Sequence, residues 1–271
     1  MGAGGGRLRA ATSSKKVSVF VKILLLNPNT SAAMTERMAA AAVAALAPDV
    51  RVTALTAVRG LPYIASRAEA QLAGAAVLET LAEHQAGHDA AVIAAFGDPG
   101  LVAARELFDL PVVGMAEAAM LTACMLGQRF SIVTFSRKLL PWYEDAVHQA
   151  GLHARCAGLV AAEGEFRSVT EVQHELESEI VALAARAAEN GADAVILAGA
   201  PLTGLALRVR DLVPVPLVDP LAAALGQAQG LVRMGARPPA SGRFARPGPK
   251  PATGLSPALA AWIEHREGEA G

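Results

Sequence analysis

The sequence predicts an α/β protein of two pseudo-symmetric lobes, each a parallel sheet flanked by helices, with an interlobe active-site cleft. Three observations predict this architecture: short apolar runs alternate with alanine-rich stretches, one pattern of motifs occurs twice, and the composition supplies a large core. Of the 271 residues, 53% are hydrophobic and 18% are charged, which is typical of globular domains. The length suits one large domain or two modest ones.

Charge and cysteine content exclude several classes of protein. The formal net charge is -1 and the 24 basic residues are dispersed, so neither nucleic acid nor an anionic membrane surface is an expected partner. The two cysteines form no C-x-x-C pair, which predicts no disulfide framework, no zinc site and a cytoplasmic location. No apolar run approaches the roughly 18 residues that cross a bilayer. A small-molecule ligand is the expected partner.

Seven short apolar runs are predicted to be strands, and the stretches between them to be helices. Residues 35–47 and 177–191 carry apolar side chains every three or four positions, as amphipathic helices do. Strands that alternate with helices predict parallel sheets. In chain order, the predicted strands cover residues 21–26, 50–56, 90–94, 112–114, 130–133, 194–197 and 216–218.

Residues 87–119 and 191–224 are similar to each other, which predicts a duplicated unit. Both segments open with Gly-x-Asp-Ala, continue into a strand that ends in small residues, and reach a second strand that carries Pro-x-Val. A weaker similarity pairs residues 23–30 with 130–137, so each copy is expected to own a first strand followed by a polar turn. The two copies are expected to pack as two lobes.

Domain boundaries follow from this duplication. The first lobe is predicted to cover residues 20–118 together with 215–265, and the second lobe residues 119–214. Residues 1–19 are interpreted as a disordered N-terminal extension without a signal peptide. The Pro/Gly/Arg-rich stretch 235–254 is predicted to be a surface loop. We expect its four basic residues to be solvated, with an oligomer contact or a phosphate patch as the alternatives.

The Asn27-Pro28-Asn29-Thr30 turn after the first strand admits two interpretations. Pro28 fixes φ, Asn29 tolerates unusual backbone angles, and Thr30 or Ser31 can cap the next helix. Alternatively, the amide and hydroxyl groups of Asn27 and Thr30 bind a ligand carbonyl or carboxylate. Ligands of open parallel sheets bind at the carboxyl ends of the strands, so the turn is expected to serve both purposes.

Five short motifs together resemble a known family. They are Asn-Pro-Asn-Thr at 27–30, PYIASRAEA at 62–70, FGDPG at 96–100, RFSIVT at 129–134 and AVILAGAPLTGL at 194–205. In this order and spacing, the motifs resemble the aspartate/glutamate/hydantoin racemase superfamily, nearest its hydantoin and allantoin racemase branch. The resemblance covers about residues 21–265.

This resemblance implies a cofactor-independent racemase with one catalytic cysteine after a central strand of each lobe. One thiolate removes the α-proton of the substrate and the opposite thiol delivers another, which inverts the stereocentre. The sequence departs from this pattern at both positions, because Ala95 and Gly199 align with the two cysteines. Pro201 stands where the family usually has glycine, and it lacks a backbone N–H donor.

The two cysteines that the chain does possess are not expected to replace the missing pair. Cys124 lies in an apolar helical stretch and Cys156 at the start of an expected strand, where buried structural thiols are the favoured interpretation. Ala95 and Gly199 therefore mark the catalytic positions without supplying the chemistry.

Several other residues remain candidates for substrate binding, each with a structural alternative. Asp98 either contacts a ligand or caps the next helix, and Arg67 either pairs with a ligand carboxylate or is merely exposed. Thr134 and Ser136 are the counterparts of the Asn-Pro-Asn-Thr turn in the second copy. The full set of predicted substrate-binding residues is Asn27, Thr30, Tyr63, Arg67, Phe96, Gly97, Asp98, Thr134, Ser136 and Ala200.

Two further groups are weaker candidates. Glu117 and Asp219 follow the equivalent Pro-x-Val strands and either orient a ligand together or cap helices, with capping favoured. His84 and His88 have helical spacing, but Gly87 interrupts the helix, and no metal site is expected there.

Two functional hypotheses follow from the sequence. The first is a hydantoin-type racemase, acting on a cyclic ureide or an amino-acid derivative, in which the cysteines have been replaced by mutation or proton transfer has moved to other groups. The second is a catalytically inactive small-molecule binding protein of the same fold. A homo-oligomer is expected in either case.

Overall fold

The computed structural model describes residues 20–267, and the predicted extension at 1–19 lies outside them. The described chain forms two four-stranded parallel sheets, with strand orders β2-β1-β3-β4 and β6-β5-β7-β8. The first sheet contains β1 (Val21–Asn27), β2 (Val50–Thr56), β3 (Ala90–Ile93) and β4 (Val112–Gly114). The second contains β5 (Phe130–Thr134), β6 (Cys156–Ala161), β7 (Ala194–Ala198) and β8 (Leu217–Val218).

Helices connect the strands, as a parallel arrangement requires. They are α1 (Ala32–Ala45), α2 (Arg67–His84), α3 (Leu101–Leu107), α4 (Met115–Leu126), α5 (Leu140–Gln149), α6 (Val172–Glu175), α7 (Glu177–Glu189), α8 (Leu205–Val209), α9 (Pro220–Arg233) and α10 (Pro257–Ile263). The two-lobed α/β prediction is confirmed, since the strand order of the first sheet recurs in the second with every number raised by four.

The recurring Gly-x-Asp-Ala motif has the same structural role in both lobes. Asp89 accepts a hydrogen bond from the backbone N–H of Lys22, 2.8 Å away. Asp193 accepts from the backbone N–H groups of Gln128 and Arg129 at 2.8 and 2.9 Å. In each case the carboxylate satisfies donors at the start of the neighbouring central strand. The repeated aspartates therefore align the strands rather than bind a ligand.

The core lies on both faces of the sheets. Residues 23–26 of β1 are completely buried, as are all four residues of β3, because helices cover both sides of a parallel sheet. Helix α9 packs against β1, β3 and β4. The chain therefore returns to the first lobe after finishing the second sheet.

Two details differ from the sequence-based expectation. Strand β6 is absent from the seven apolar runs, although a strand was expected to start at Cys156, because its residues lie half-buried at a sheet edge and give no strong apolar signal. Strand β8 pairs with β7 in the second sheet, beyond the predicted lobe boundary at residue 214.

Short polar and proline-rich segments without helix or strand cover most of residues 235–254. Within residues 20–267, no helix is long and apolar enough to cross a membrane.

Candidate active site

A small cavity of about 60 Å³ lies between the two lobes at the carboxyl ends of the central strands. The first lobe contributes residues that follow β1 and β3, and the second lobe contributes residues that follow β5 and β7. Helix α5 and the segment around Thr170 close the remaining sides. The lining residues include Asn29, Ser31, Tyr63, Ala95, Phe96, Phe135, Trp142, Tyr143, Thr170, Gly199 and Ala200.

The turn after β1 is held together by its own side chains. The Asn27 amide nitrogen, which is fully buried, donates to Asn29 Oδ1 at 2.9 Å and to Thr35 Oγ1 at 3.0 Å. Asn29 Oδ1 also accepts from the Ser31 backbone N–H at 2.9 Å, and Ser31 Oγ caps α1. Asn27 therefore lies beneath the cavity and shapes the turn, while Asn29 and Ser31 reach the cavity wall.

Ala95 lies at the first thiol position and lines the cavity with 8% of its surface exposed. It follows β3 directly, after Ala94, and its backbone carbonyl accepts the N–H of Asp98 at 3.1 Å. A methyl group there carries no proton that could be transferred. The Ala95 side chain therefore cannot act as an acid or a base in this cavity.

Gly199, at the second thiol position, adopts a conformation that excludes a side chain. Its φ is +114°, a region that residues other than glycine rarely adopt. A Cβ atom built on Gly199 would lie 2.7 Å from Phe135 Cε1 and 3.5 Å from the Tyr143 hydroxyl oxygen. Phe135 therefore occupies part of the space that a side chain at residue 199 would need, so both the local backbone and the packing disfavour a thiol there.

Aromatic rings form much of the cavity wall and join the lobes. The Phe96 and Tyr143 ring centroids lie 4.6 Å apart, and those of Tyr63 and Phe135 lie 6.2 Å apart. Gly97 permits this packing, because a Cβ there would lie 2.4 Å from the Trp142 ring. The rings in contact belong to different lobes, so aromatic packing sets the width of the cavity.

The hydroxyl groups of the cavity are donors rather than bases. Burial raises the pKa of Tyr143 well above its usual range, and the nearby Tyr63 adds to this effect. Burial also raises the pKa of Tyr63, and the charge of Glu69 adds to the shift. Both phenols therefore stay protonated at neutral pH. Within residues 20–267, no Asp, Glu, Lys, Arg or His side chain lines this cavity.

Asp98 lies beside the cavity rather than in its wall. Its carboxylate accepts hydrogen bonds of 2.8 Å from the backbone N–H groups of Ala116 and Glu117 at the start of α4. Burial is the largest influence on this group and raises the pKa of Asp98 to about 7, although these two N–H donors lower it. Helix capping is thus the role that the geometry gives Asp98.

Other predicted ligand contacts also have partners within the protein. Arg67 pairs with Asp145 and donates to the Pro141 carbonyl at 3.1 Å, which joins the lobes at the surface. Thr134 is buried and donates to the Ala198 carbonyl at 2.9 Å. Thr30 and Ser136 are half-buried and do not line the cavity. Of the predicted set, Tyr63, Phe96 and Ala200 line it.

The weaker candidates lie outside the cavity as well. Glu117 pairs with Arg105, and Asp219 caps α9 while accepting the Gly204 backbone N–H at 2.5 Å. Cys124 and Cys156 are half-buried away from the cavity, and burial raises the pKa of the Cys156 thiol. Neither thiol reaches the interlobe cavity. The described residues contain no cluster of three or more His, Cys, Asp or Glu side chains fit for a metal.

Sequence reasoning missed the contribution of α5 to the cavity. Trp142 and Tyr143 stand at the start of this helix, and both line the cavity. A signal was present, since the chain contains only two tryptophans and two tyrosines, and adjacent ones follow the polar turn of the second copy. Such rare, large side chains next to a strand-end turn favour a binding site.

Two duplicated parallel-sheet lobes that face each other across a cavity, with equivalent strand-end positions from each lobe, define the class of protein: a two-lobed α/β protein with an interlobe site. A family model described as Asp/Glu/Hydantoin racemase matches residues 23–228, and the chain belongs to this family.

Individual relatives agree with this assignment. A hydantoin racemase from Paenarthrobacter aurescens is 34% identical over 84% of this chain and 98% of its own length. The structure of an allantoin racemase from Klebsiella pneumoniae is 37% identical, with a TM-score of 0.82, and covers 88% of this chain and 98% of that one. An allantoin racemase from Pseudomonas fluorescens gives 33% identity and a TM-score of 0.80, over 86% of this chain and 100% of that one. The similarity therefore extends over the whole two-lobed fold.

Proposed function

We propose that the interlobe cavity binds a small, uncharged cyclic ureide of the hydantoin or allantoin type, without the two-thiol proton transfer of the family. One observation carries this proposal: the two strand-end positions that would hold thiols are occupied by Ala95 and by Gly199, whose Cβ position is blocked. The chain would then act as a ligand-binding relative of the racemases.

The chemistry of the wall supports an uncharged ligand. A free carboxylate needs a cation or several N–H donors to replace its hydration, and no cationic side chain within residues 20–267 lines the cavity. A cyclic ureide instead offers carbonyl acceptors and N–H donors on a flat ring. These groups suit the amide of Asn29, the hydroxyls of Ser31, Tyr63 and Tyr143, and the neighbouring aromatic faces.

The testing experiment measures binding and turnover in parallel. Single enantiomers of allantoin and of 5-benzylhydantoin are titrated against the unmodified chain by calorimetry, and circular dichroism follows their optical activity over hours. We expect saturable binding. We also expect the dichroism signal to decay no faster in the presence of the protein than it does spontaneously. Tyr63→Phe should weaken binding, because it removes a hydroxyl donor while keeping the ring; Tyr143→Phe provides a second, independent variant.

The family relationship favours one alternative, in which the chain racemises its ligand with groups other than thiols. Enzyme-dependent loss of the dichroism signal that is abolished in Tyr143→Phe would support this alternative and refute the proposal of binding alone. The absence of binding for both ligands would refute the proposed ligand class. Homo-oligomerisation and a cytoplasmic location remain part of the proposal, to be tested by light scattering and by cell fractionation.

A further inference from the structure

A second cavity, of about 350 Å³, lies next to the interlobe cavity and differs from it in charge. Thr170 lines both cavities. The side chains of Arg37, His174 and Arg208 line the second cavity, together with one carboxylate, that of Glu171. The lining guanidinium groups therefore outnumber the lining carboxylate, whereas the interlobe wall is uncharged.

Arg37 is held in place without being neutralised. Its Nη2 donates to the Thr170 carbonyl at 2.6 Å, and its Nη1 donates to the Pro201 carbonyl at 3.4 Å. These two acceptors use two of the five N–H donors that a guanidinium carries. Among residues 20–267, the other three have no acceptor, and no carboxylate lies within ion-pair distance of Arg37. A half-buried charge of this kind is pre-organised for an incoming anion.

The rest of the lining also includes basic and amide groups. Arg208 Nη1 donates to Gln173 Oε1 at 3.0 Å, and Arg208 also pairs with Glu177. Gln173 Nε2 in turn donates to the Thr203 carbonyl at 2.6 Å. These contacts fix Arg208 beside the cavity, and Glu177, which is not a lining residue, offsets only part of the positive potential. The exposed imidazole of His174 adds another nitrogen donor.

We propose that this second cavity is a binding site for a small oxyanion, with Arg37 as its principal ligand and Arg208 as a second cation of the lining. The oxyanion is either an inorganic one or the carboxylate of an organic molecule, because both offer oxygens that match a guanidinium fork. This inference does not depend on what binds between the lobes, since neither Tyr63 nor Tyr143 takes part.

Calorimetric titration of the unmodified chain with sulfate and, separately, with acetate tests the proposal at constant ionic strength, because added salt alone screens surface charges. Saturable sulfate binding with weaker acetate binding indicates an inorganic oxyanion, and the reverse indicates a carboxylate. Arg37→Met keeps the apolar stem and should weaken binding about tenfold or more. Glu171→Gln should tighten it a few-fold, because a like charge is removed.

Arg51→Met is the matched control. Arg51 also donates to two backbone carbonyls, those of Pro48 and Val50, but it lies at the opposite end of the strands. We expect the Arg51→Met variant to bind sulfate with the same affinity as the unmodified chain. Arg208→Met, at an exposed position, repeats the test if Arg37→Met unfolds. The proposal is overturned if the unmodified chain binds neither anion saturably, or if Arg51→Met loses as much affinity as Arg37→Met and Arg208→Met.

Discussion

Gly199 illustrates how a single backbone angle decides what chemistry a position can hold. The two-thiol reaction that the resemblance implies would need a side chain there, whereas a φ of +114° and the Phe135 ring both disfavour one. Ala95, the equivalent residue of the first lobe, has no such restriction, since it does not adopt a positive φ. The two thiol positions are thus equivalent in the duplication but differ in what they tolerate.

This difference predicts unequal costs of substitution. Gly199→Ala should lower the free energy of unfolding by roughly 1–3 kcal/mol from backbone strain alone, with the Phe135 contact adding to it. Ala95→Cys should cost about 1 kcal/mol or less, because its sulfur projects into an existing cavity. Urea denaturation measures both values. Gly204→Ala is the control for strain without a clash, since Gly204 has φ of +84° and open space around its Cβ position.

Cysteines introduced at residues 95 and 199 test the same restriction on residue 199, with the rate of racemisation as the measurement. Ala95→Cys with Gly199→Cys should give little racemisation of allantoin, because Phe135 prevents the second thiol from adopting a working position. Adding Phe135→Leu should increase the rate of dichroism loss by making room. Efficient racemisation by the double variant alone would mean that the backbone at residue 199 relaxes freely.

Asp98 gives a prediction about pH. Its pKa in the folded chain is about 7, above its ordinary value of 3.8, so between these values the folded state binds more protons than the unfolded state. The contribution of Asp98 to stability therefore falls as pH rises from about 4 to 7, by at most about 1.4 kcal/mol per pH unit. Outside this window the contribution is constant.

Denaturation of the unmodified chain and of Asp98→Asn across pH 4–9 measures this effect. The asparagine does not titrate, so the stability of the unmodified chain relative to the variant should decline between pH 4 and 7 and then remain level. A relative stability that increases with pH would show that the two backbone donors at the start of α4 outweigh burial and hold the pKa low.

At the scale of elements, the β1–α1 turn is stabilised by side chains that sequence reasoning assigned in part to a ligand. Asn27 makes its hydrogen bonds to Asn29, Ser31 and Thr35. Asn27→Ala should therefore lower the free energy of unfolding by about 2–3 kcal/mol, because buried partners are left unsatisfied. Thr30→Ala, in the same turn, should change it by about 0.5 kcal/mol or less.

Thermal and urea denaturation of these two variants decide between the interpretations of the turn. A stable Asn27→Ala variant that has lost ligand affinity would contradict the structural role. Loss of affinity in Thr30→Ala at unchanged stability would restore Thr30 as a ligand contact.

At the scale of the whole molecule, the two tryptophans lie in different regions, so the fluorescence of each reports on its own surroundings. Trp142 lines the interlobe cavity, whereas Trp262 packs edge-on against Phe108, with a centroid distance of 5.1 Å, beneath Arg246. Addition of 5-benzylhydantoin should change the fluorescence of Trp262→Phe, which retains Trp142. The matched variant Trp142→Phe should give no comparable change. The opposite pattern would place the ligand site outside the interlobe cavity.

Much of the fold could be predicted because its signals are local. Buried parallel strands appear as continuous apolar runs in the sequence, and the duplicated motifs predict two lobes. Strand β6 was expected only from its start at Cys156 and gave no apolar run, since a half-buried edge strand of small residues carries little periodic signal. The candidate site was predicted in outline, because the strand-end residues of both copies do meet at one cavity.

The sequence by itself determined the family and the two-lobed α/β architecture, because each depends on residue identity and order along the chain. Only the tertiary structure decided which polar groups face the cavity. Asn27, Arg67, Asp98 and Thr134 all have partners elsewhere in the protein, while Trp142 and Tyr143 reach the cavity from α5. Hydrogen-bond partners and van der Waals neighbours are set by packing between distant segments, so the role of a polar side chain is decided only when the lobes are assembled.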